Sequence, residues 1–294
     1  MSHSDRLKRT PDTFRQLTGL TPAAFDGLLA QLQPRYHEAD ARRKARPDRR
    51  RKPGAGRKHV LSLADRLLML LIYYRTYVTH AFLGFLFGVD DSAVGRNVNP
   101  LQPLLAGIFR IPERRVEVQP DEIRELFFDA TERPTYRPKK KQRRCYSGKK
   151  KRHTLKTQVV VARKRKKAGR RKAGQAERRR VRIAAVSATA AGKVHDKKVY
   201  DRAKTIIPPG VAGYGDTGYQ GTRLRTPTKK KPKQALTGRQ RRGNRRHSRK
   251  RIVVEHAIGK MKVWRVAAER YRNPTRRHTL IMKNVAGLHN LMYS

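Results

Sequence analysis

The chain has few acidic residues, a single cysteine and no long apolar run. Its one cysteine, Cys145, excludes a disulfide framework and a zinc site built on several thiolates, so a reducing compartment is expected. The longest apolar stretch, Leu67 to Tyr74, is far shorter than the ~20 residues needed to span a bilayer. Residues 1–9 are polar and do not resemble a secretory signal. We therefore expect a cytoplasmic protein that does not enter a membrane.

The balance of charge is strongly positive. The 294 residues include 73 Lys and Arg but only 22 Asp and Glu, which gives a formal net charge of +51. Clusters of Lys and Arg favour a nucleic acid over a small acidic substrate, because each phosphate that they neutralise releases counterions. A basic solubilising surface is the alternative, although charge of one sign destabilises a compact state. With 37% apolar residues, the chain can form one large domain or two ordinary ones.

The amino-terminal region is expected to contain one short helix and a basic linker. Thr21 followed by Pro22 is a helix-start signal, and apolar residues then recur at helical spacing over residues 25–32. Pro34 is expected to end this helix. Residues 38–60 are rich in Arg with interspersed Pro and Gly, which is typical of an exposed linker. Such a linker is either solvated or lies along DNA phosphates.

The next region has the pattern of a helix-turn-helix. Ser62 and Asp65 resemble a capping box that opens a helix, and Thr79 opens a second one. A turn is predicted at residues 88–91, and a third helix is predicted at residues 92–98. Two short helices that follow a longer one and are joined by a tight turn are typical of a helix-turn-helix that binds DNA. Any small helical bundle gives a similar pattern, so this alternative stays open.

Short runs rich in β-branched and apolar residues replace the helical pattern after about residue 116. Four strands are predicted, namely Glu125 to Thr131, Thr154 to Val161, Val181 to Ala188 and Val211 to Asp216. Three helices are predicted around them, namely His195 to Ile206, one capped by Ser248 and one from Leu280 to Leu291. This order predicts an α/β fold with a mixed sheet and flanking helices. The expected regions are the helix and linker at residues 1–60, the helix-turn-helix at 61–115 and the sheet domain at 116–294.

Acidic residues lie at the ends of two of the predicted strands. Asp129 follows the apolar residues 126–128, and Asp216 lies between a short strand and a glycine-rich turn that permits close approach of a phosphate. Strand ends in α/β sheets are where ligands bind. Glu255 lies on the helix capped by Ser248, at the edge of its apolar stripe, from which it can lean toward the sheet. Asp129, Asp216 and Glu255 are therefore the candidate catalytic residues.

Three converging carboxylates repel one another unless cations neutralise them. Hard oxygen ligands suit Mg²⁺ or Mn²⁺, and two ions roughly 3.5–4 Å apart stabilise the attacking and leaving oxygens of a phosphoryl displacement. Each residue also has a structural alternative. Asp129 can be a turn residue after its strand, Asp216 can form an Asx turn, and Glu255 can be an i,i+4 partner of Arg251. Their combination in so basic a chain favours the metal site.

Five segments of the sequence together resemble one family. They read DATERP at residues 129–134, YSGKKKRHTLK at 146–156, HD at 195–196, DTGYQG at 216–221 and RIVVEHAIGKMK at 251–262. Over residues 60–294 the chain resembles the DDE-type insertion-sequence transposases that are related to eukaryotic Harbinger elements. The resemblance implies a ribonuclease-H-like catalytic domain with Asp129, Asp216 and Glu255 as its metal-binding triad. It also implies that an all-α helix-turn-helix domain precedes this domain.

Asp196 and several basic residues are further candidates. Asp196 belongs to the resemblance, but it also opens a predicted helix where a cap is needed, so it ranks after Asp216 as a metal ligand. The residues expected to contact DNA are Arg96, Lys149, Lys150, Lys151, Arg152, Lys156, Arg251 and Lys262. A solvated charged edge is the alternative for the cluster at residues 149–156. The basic loop at residues 163–180 is longer than the turn of the family, and extra phosphate contacts are its simplest role.

The sequence therefore predicts a transposase that binds the ends of its own element and hydrolyses a phosphodiester with a metal-activated water. The freed 3′ hydroxyl then attacks target DNA at the same site, without a covalent enzyme intermediate. The expected partners are double-stranded DNA, at terminal inverted repeats and at the target, and at least one second copy of the chain, because two ends must be joined. In the prokaryotic host that the resemblance implies, the protein is expected at the nucleoid. A non-catalytic nucleic-acid-binding protein and recombination through a covalent tyrosine are the alternatives.

Overall fold

A computed structural model describes residues 2–45, 59–114, 122–140, 142–164 and 181–293. The chain forms two compact units. The first comprises Met1–Arg110 with Trp264–Val266, and the second comprises Ile111–Val263 with Ala267–Ser294. The region expected at residues 1–60 thus belongs to the same unit as the helix-turn-helix. No helix in the described ranges is both long and apolar enough to cross a membrane.

The first unit is built from helices. They are α1 (His3–Lys8), α2 (Pro11–Thr18), α3 (Pro22–Lys44), α4 (Leu63–Thr76), α5 (His80–Phe87), α6 (Asp91–Val98) and α7 (Leu101–Phe109). Helix α4 forms the centre, because each of residues 65–74 is buried. A helix that is buried on all sides must be surrounded by other elements, and α1, α2, α3, α5 and α6 contact it.

The predicted helix starts at Ser62 and Thr79 are confirmed. The Ser62 hydroxyl accepts a hydrogen bond of 3.1 Å from the backbone N–H of the third residue of α4, and the Thr79 hydroxyl caps α5 in the same way at 3.2 Å. Between α5 and α6 the chain turns at Gly88, which has a φ of 65°. Gly84 must also lack a side chain, since a Cβ there would lie 2.5 Å from the carbonyl oxygen of Val89. The helix-turn-helix predicted from the sequence is therefore present.

Helix α3 is longer than the sequence predicts. It runs through Pro34 to Lys44, so the prediction that Pro34 ends the helix and that residues 38–45 are a linker is wrong. Three ion pairs follow the proline, namely Glu38–Arg42, Asp40–Arg43 and Asp40–Lys44. They join residues three or four apart, which are neighbours on a helix and stabilise it. Residues 46–58 of the predicted linker lie outside the described residues.

The second unit contains a mixed sheet, as predicted. Its strands are β1 (Ile123–Pro134), β2 (Tyr146–Ser147), β3 (Arg152–Lys164), β4 (Val181–Val186), β5 (Ala190–Ala191) and β6 (Ala212–Tyr214). Strand β1 pairs antiparallel with β3 and parallel with β6, while β3 also pairs antiparallel with β2, β4 and β5. The four predicted strands are present, although β1 and β3 are longer and β4 and β6 shorter than predicted. Residues 165–180 of the predicted basic loop lie outside the described residues.

Helices cover both faces of the sheet. They are α8 (Gln142–Cys145), α9 (Asp196–Ala203), α10 (Gly238–Met261) and α11 (His278–Tyr293). Phe128 of β1 contacts Tyr200 of α9, with ring centroids 5.6 Å apart, whereas the next residue, Asp129, forms an ion pair with Arg251 of α10. Successive side chains of a strand point to opposite faces, so α9 and α10 cover opposite faces. Helix α11 contacts β4 and α10.

Helix α10 starts well before the predicted cap at Ser248, which lies in its interior. The observed start is a capping box, in which the Thr237 hydroxyl accepts the N–H of Gln240 and the Gln240 side chain accepts the N–H of Thr237. The arginines that follow are good helix formers, so the helix needs no apolar stripe in its first half. Helix α9 is shorter than predicted, because Lys204 adopts the left-handed conformation and ends it.

Candidate active site

Two acidic residues lie side by side where the pairing of β1 with β6 ends. In this parallel pairing, Phe127 lies opposite Tyr214. Asp129 and Asp216 each follow two residues later, so the same register brings them next to each other, and both line one cleft. The sequence predicted Asp129 near the end of a strand that stops at Thr131, whereas β1 continues to Pro134. Asp129 lies instead where β1 loses its parallel neighbour.

The cleft beside these two residues combines acidic and basic side chains. Its acidic lining consists of Asp129, Glu132, Asp196 and Asp216, and its lysines are Lys149, Lys150, Lys156, Lys193 and Lys262. Carboxylates with lysines around them suit a site that binds phosphates through divalent cations. The cleft thus unites three of the four predicted acidic site residues.

Asp129 has the most perturbed carboxyl group of the cleft, and its side chain is 24% exposed. Burial raises the pKa of Asp129 to about 6, the charge of Arg251 opposes this rise, and the negative charges of Asp216 and Asp196 add to it. The Arg251 guanidinium lies 3.5 Å from Asp129 Oδ1, which also accepts the backbone N–H of Ala130 at 3.0 Å. A desolvated carboxyl group that faces other carboxylates favours a cation beside it. Arg251 supplies one positive charge there.

Asp216 and Asp196 flank Gly218. Asp216 Oδ1 accepts the backbone N–H of Gly218 at 2.9 Å, so the Asx turn considered as its structural alternative is formed. This turn uses one carboxylate oxygen, and the group has a second one that can bind a cation. A Cβ on Gly218 would lie 2.9 Å from Asp196 Oδ2 and 3.0 Å from Asp216 Oδ1. A side chain at residue 218 would therefore displace one or both carboxylates from their present positions.

Lys156 is a buried partner of Asp196. Its ammonium lies 2.8 Å from Asp196 Oδ1, 2.8 Å from the carbonyl oxygen of Val194 and 3.3 Å from Glu132. These three acceptors match the three donors of an ammonium group, and the side chain is 8% exposed. These contacts do not favour the prediction that Lys156 contacts DNA, because its charge is already directed to partners within the protein. Lys156 holds Asp196 at the cleft and neutralises part of its charge.

Glu255 is on the side of α10 that faces the cleft but does not line it. Arg251, Ile258 and Lys262 are within two turns of Glu255 and share its side of the helix. Of these, Arg251 pairs with Asp129, and the other two line the cleft. Glu255 is exposed, and within the described ranges no three acidic, His or Cys side chains form a group that could hold a metal ion. The predicted triad consists of two adjacent carboxylates and a third beside the cleft.

Most of the other predicted DNA contacts are exposed. Residues 149–152 lie in the turn between β2 and β3 and at the start of β3, and Lys262 reaches the cleft from α10. In the first unit, Arg96 lies on the exposed side of α6, where it donates to Ser92 Oγ at 2.8 Å and to Asp90 at 3.3 Å. These side chains are accessible to a polyanion, unlike Lys156.

Sequence reasoning missed two parts of the cleft. Glu132 lies in a segment that was singled out, but its contact with Lys156 depends on the register of β1 against β3, which places the two opposite each other. His195 caps α9 and lines the cleft. Beyond His195 the surface stays basic, with Arg144, Lys193, Lys198 and Arg202 around a neighbouring depression. The sequence signal for this basic depression was the spacing of Lys198 and Arg202, which are one helical turn apart on α9.

Comparisons with known proteins agree with the two-part organisation. Residues 177–290 match the family described as DDE superfamily endonuclease, and residues 59–110 match the family described as helix-turn-helix of DDE superfamily endonuclease. The chain is 29% identical over 289 residues to a probable transposase for insertion sequence element IS702 of Microchaete diplosiphon, which covers 96% of this chain and 94% of the relative. It is also 29% identical over 284 residues to a putative transposase for insertion sequence element IS112 of Streptomyces albus G, which covers 96% and 95%. No solved structure matches.

The family matches cover the elements that the geometry singles out. The endonuclease match includes Asp196, Asp216 and Glu255, and the helix-turn-helix match includes helices α4 to α7. Both matches lie in the order that the motifs of the sequence predicted. Residues 177–290 are thus similar to the DDE superfamily endonucleases, and residues 59–110 are similar to the helix-turn-helix of that superfamily.

Proposed function

We propose that the protein is a transposase that cuts DNA at the cleft of Asp129 and Asp216. The observation that carries the proposal is the parallel register of β1 and β6, which brings the two carboxylates together beside exposed lysines. The match to an endonuclease superfamily supports a nuclease, and the names of the two relatives support transposition. The reaction begins with hydrolysis at an element end, and the freed 3′ hydroxyl then attacks target DNA.

We infer that Asp129, Asp216 and Glu255 hold divalent cations, Mg²⁺ or Mn²⁺ and two in number. The residues fit such ions, because the raised pKa of Asp129 reflects a desolvated carboxyl group for which the one charge of Arg251 does not offset burial and the neighbouring carboxylates. Glu255 is one helical turn from Arg251 and shares the side of α10 that carries the cleft-lining Ile258 and Lys262. When bound, the ions supply an activated water and stabilise the leaving oxygen. Asp196 has one oxygen on Lys156, which keeps it second to Asp216 as a ligand.

The basic residues bind and orient the DNA in this proposal. Lys149, Lys150 and Lys262 hold the phosphates next to the cut, because they line the cleft without being buried in it. With a cation held at Asp129, Arg251 would be free to pair with a phosphate instead of that carboxylate. Helix α6 with Arg96 reads the terminal inverted repeats. Two ends must be held at once, so the active complex contains two or more copies of the chain at the nucleoid.

A non-catalytic DNA-binding protein is the second candidate. Two observations favour it, namely the position of Glu255 outside the cleft and the ion pair of Arg251 with Asp129. A protein that had lost catalysis would keep its basic surface and its helix-turn-helix, because both act without metal ions. The two candidates therefore differ in metal-dependent cleavage and not in DNA affinity.

Cleavage of a labelled duplex copied from the DNA that flanks the coding region tests the proposal. We expect the wild type to cut this duplex with Mg²⁺ or Mn²⁺. Asp216→Asn keeps an oxygen for the Gly218 N–H but should lose about 10³-fold in rate, since metal stabilisation of the transition state is worth several kcal/mol. Binding of the same duplex should stay equal or tighten, because a negative charge is removed.

The matched control is Asp201→Asn, which makes the same change of charge at an exposed position of α9. This variant should cut like the wild type. Cleavage that persists in Asp129→Asn, Asp216→Asn and Glu255→Gln would contradict the metal triad. A wild type that binds the duplex but cuts nothing with either metal would favour the non-catalytic candidate.

A further inference from the structure

The first half of α10 borders a second cleft, distinct from that of the carboxylates. A short segment, residues 225–228, runs along this half of the helix and is called the strap below. Its residues 226–228 form one side of the cleft, and Arg239, Arg242 and Arg246 of α10 lie on the other. No Asp or Glu occurs between Asp216 and Glu255, whereas Lys and Arg recur throughout this part of the sequence. The cleft is thus strongly positive and suits an anion.

Three polar side chains of the cleft, Gln240, Asn244 and His247, are already engaged within the protein. Asn244 forms two hydrogen bonds of 2.9 Å with the backbone of the last residue of the strap. His247 Nε2 lies 2.9 Å from the carbonyl oxygen of the first residue of the strap. The Gln240 side chain belongs to the capping box of α10. Asn244 and His247 are therefore engaged in holding the strap, and Gln240 is engaged in the helix cap, which disfavours contacts of these side chains to base edges.

The three arginines that line the cleft are available to bind an anion. Arg239, Arg242 and Arg246 are exposed and form no ion pair with the described residues. They share one side of α10 and span about 10 Å along the helix, because each residue adds about 1.5 Å. Guanidinium groups bind phosphates bidentately, and successive phosphates of one DNA strand are about 3.4 Å apart along the axis. The row therefore matches a short run of phosphates on one strand.

We propose that this cleft binds the sugar–phosphate backbone of double-stranded DNA without reading its sequence, and that it holds target DNA. The inference rests on the proposed function, which needs a second duplex besides the element end. Phosphate contacts position a duplex but carry no sequence information. A target must be accepted whatever its sequence, whereas an element end must be recognised. The same helix continues from Arg246 to Arg251, so a duplex held here leads toward the carboxylates.

Binding of two duplexes of equal length, one of random sequence and one copied from the flank of the coding region, tests the site. The triple variant Arg239→Gln, Arg242→Gln, Arg246→Gln should bind the random duplex about 10- to 100-fold more weakly near 0.15 M salt, and the slope of log affinity against log salt should shrink by about 3. Binding and cleavage of the flank duplex should change much less. Joining of the cut end to a target plasmid should be lost.

A matched control lies on the same helix. The triple variant Arg241→Gln, Arg245→Gln, Arg249→Gln removes the same charge at exposed positions that do not line the cleft, and it should keep wild-type binding within about threefold. Equal losses in both triple variants, no loss in either, or a loss confined to the flank duplex would each overturn the proposal. A cleft variant that alone loses the random duplex supports the site even if the wild type cuts nothing. The proposed function alone would then fail.

Discussion

Asp129 and Glu125 lie on the same strand, yet their surroundings move their pKa values in opposite directions. Burial acts to raise the pKa of Glu125, but the hydrogen bond and charge of Lys250, with the charge of Arg163, lower it overall. The two cations lie 2.9 and 3.0 Å from its oxygens. Asp129 has one cation at 3.5 Å and two other carboxylates nearby, so burial prevails and its pKa rises to about 6. The ionised form of Asp129 is therefore unfavourable in the folded protein, whereas the ionised form of Glu125 is stabilised by its cations.

This difference predicts a stability change for Asp129→Asn. A folded pKa of about 6 lies above the ordinary value of 3.8, so the native state favours the protonated form. The resulting stabilisation is present below about pH 4 and is lost as pH rises through about 6. Asn has the shape of the neutral acid, so Asp129→Asn should raise the free energy of unfolding by up to about 3 kcal/mol at pH 8 and by little at pH 4. Urea unfolding at both pH values, without divalent metal, measures this.

The exposed control Asp201→Asn should change the free energy of unfolding by less than about 0.5 kcal/mol at either pH. A loss of stability for Asp129→Asn at pH 8 would mean that its pair with Arg251 outweighs burial and repulsion. The ion pair would then be the resting state that the chain favours, and a divalent cation would have to displace it.

Among the elements, α10 links the sheet to both clefts. Two neighbouring residues hold it in place, because Lys250 donates to Glu125 and to the Tyr214 hydroxyl at 2.9 Å each, and Arg251 pairs with Asp129. Glu125 and Asp129 both belong to β1. The two contacts therefore fix α10 against this strand. The position of Glu255 relative to Asp129 follows from these contacts.

We expect removal of the Lys250 contacts to destabilise the packing of α10 against β1. Lys250→Met keeps the length of the side chain but leaves the buried Glu125 with Arg163 as its partner. We expect a loss of about 1–2 kcal/mol in the free energy of unfolding, because a buried charge has lost a hydrogen bond. Cleavage of the flank duplex should fall as well, since α10 can shift. Arg249→Met, at the exposed neighbouring position, is the control and should leave both measurements near wild type.

How far the sequence predicted the elements depended on local signals. The starts at Ser62 and Thr79 were predicted because a capping side chain acts within three residues. The lengths of α3 and α10 were missed, since their charged segments lack an apolar stripe and are stabilised by ion pairs and by a capping box. Asp129 and Asp216 were identified because each follows an apolar run. The inward direction of Lys156 was not predictable, because it depends on partners from three distant segments.

The whole molecule combines a helical unit with a helix-turn-helix and a unit with a cleft of carboxylates. With a net charge of +51, any duplex is attracted, and this attraction carries no information about sequence. In the proposed function, discrimination of element ends comes from contacts to base edges in the first unit, where Arg96 is exposed on α6. Affinity and specificity therefore have different origins in this chain.

These origins predict how salt changes DNA recognition. A protein that contacts several phosphates loses affinity steeply with salt, by about 10³–10⁵ between 50 and 200 mM for 6–10 contacts. Base-edge contacts release few counterions, so the ratio of affinities for the flank duplex and a scrambled duplex should increase with salt. Arg96→Gln should reduce the free-energy difference that corresponds to this ratio by about 1–3 kcal/mol. It should change the slope of log affinity against log salt by about 1 or less. Competition binding at both salt concentrations measures the ratio, and a ratio that is independent of salt and of Arg96 would place end recognition outside α6.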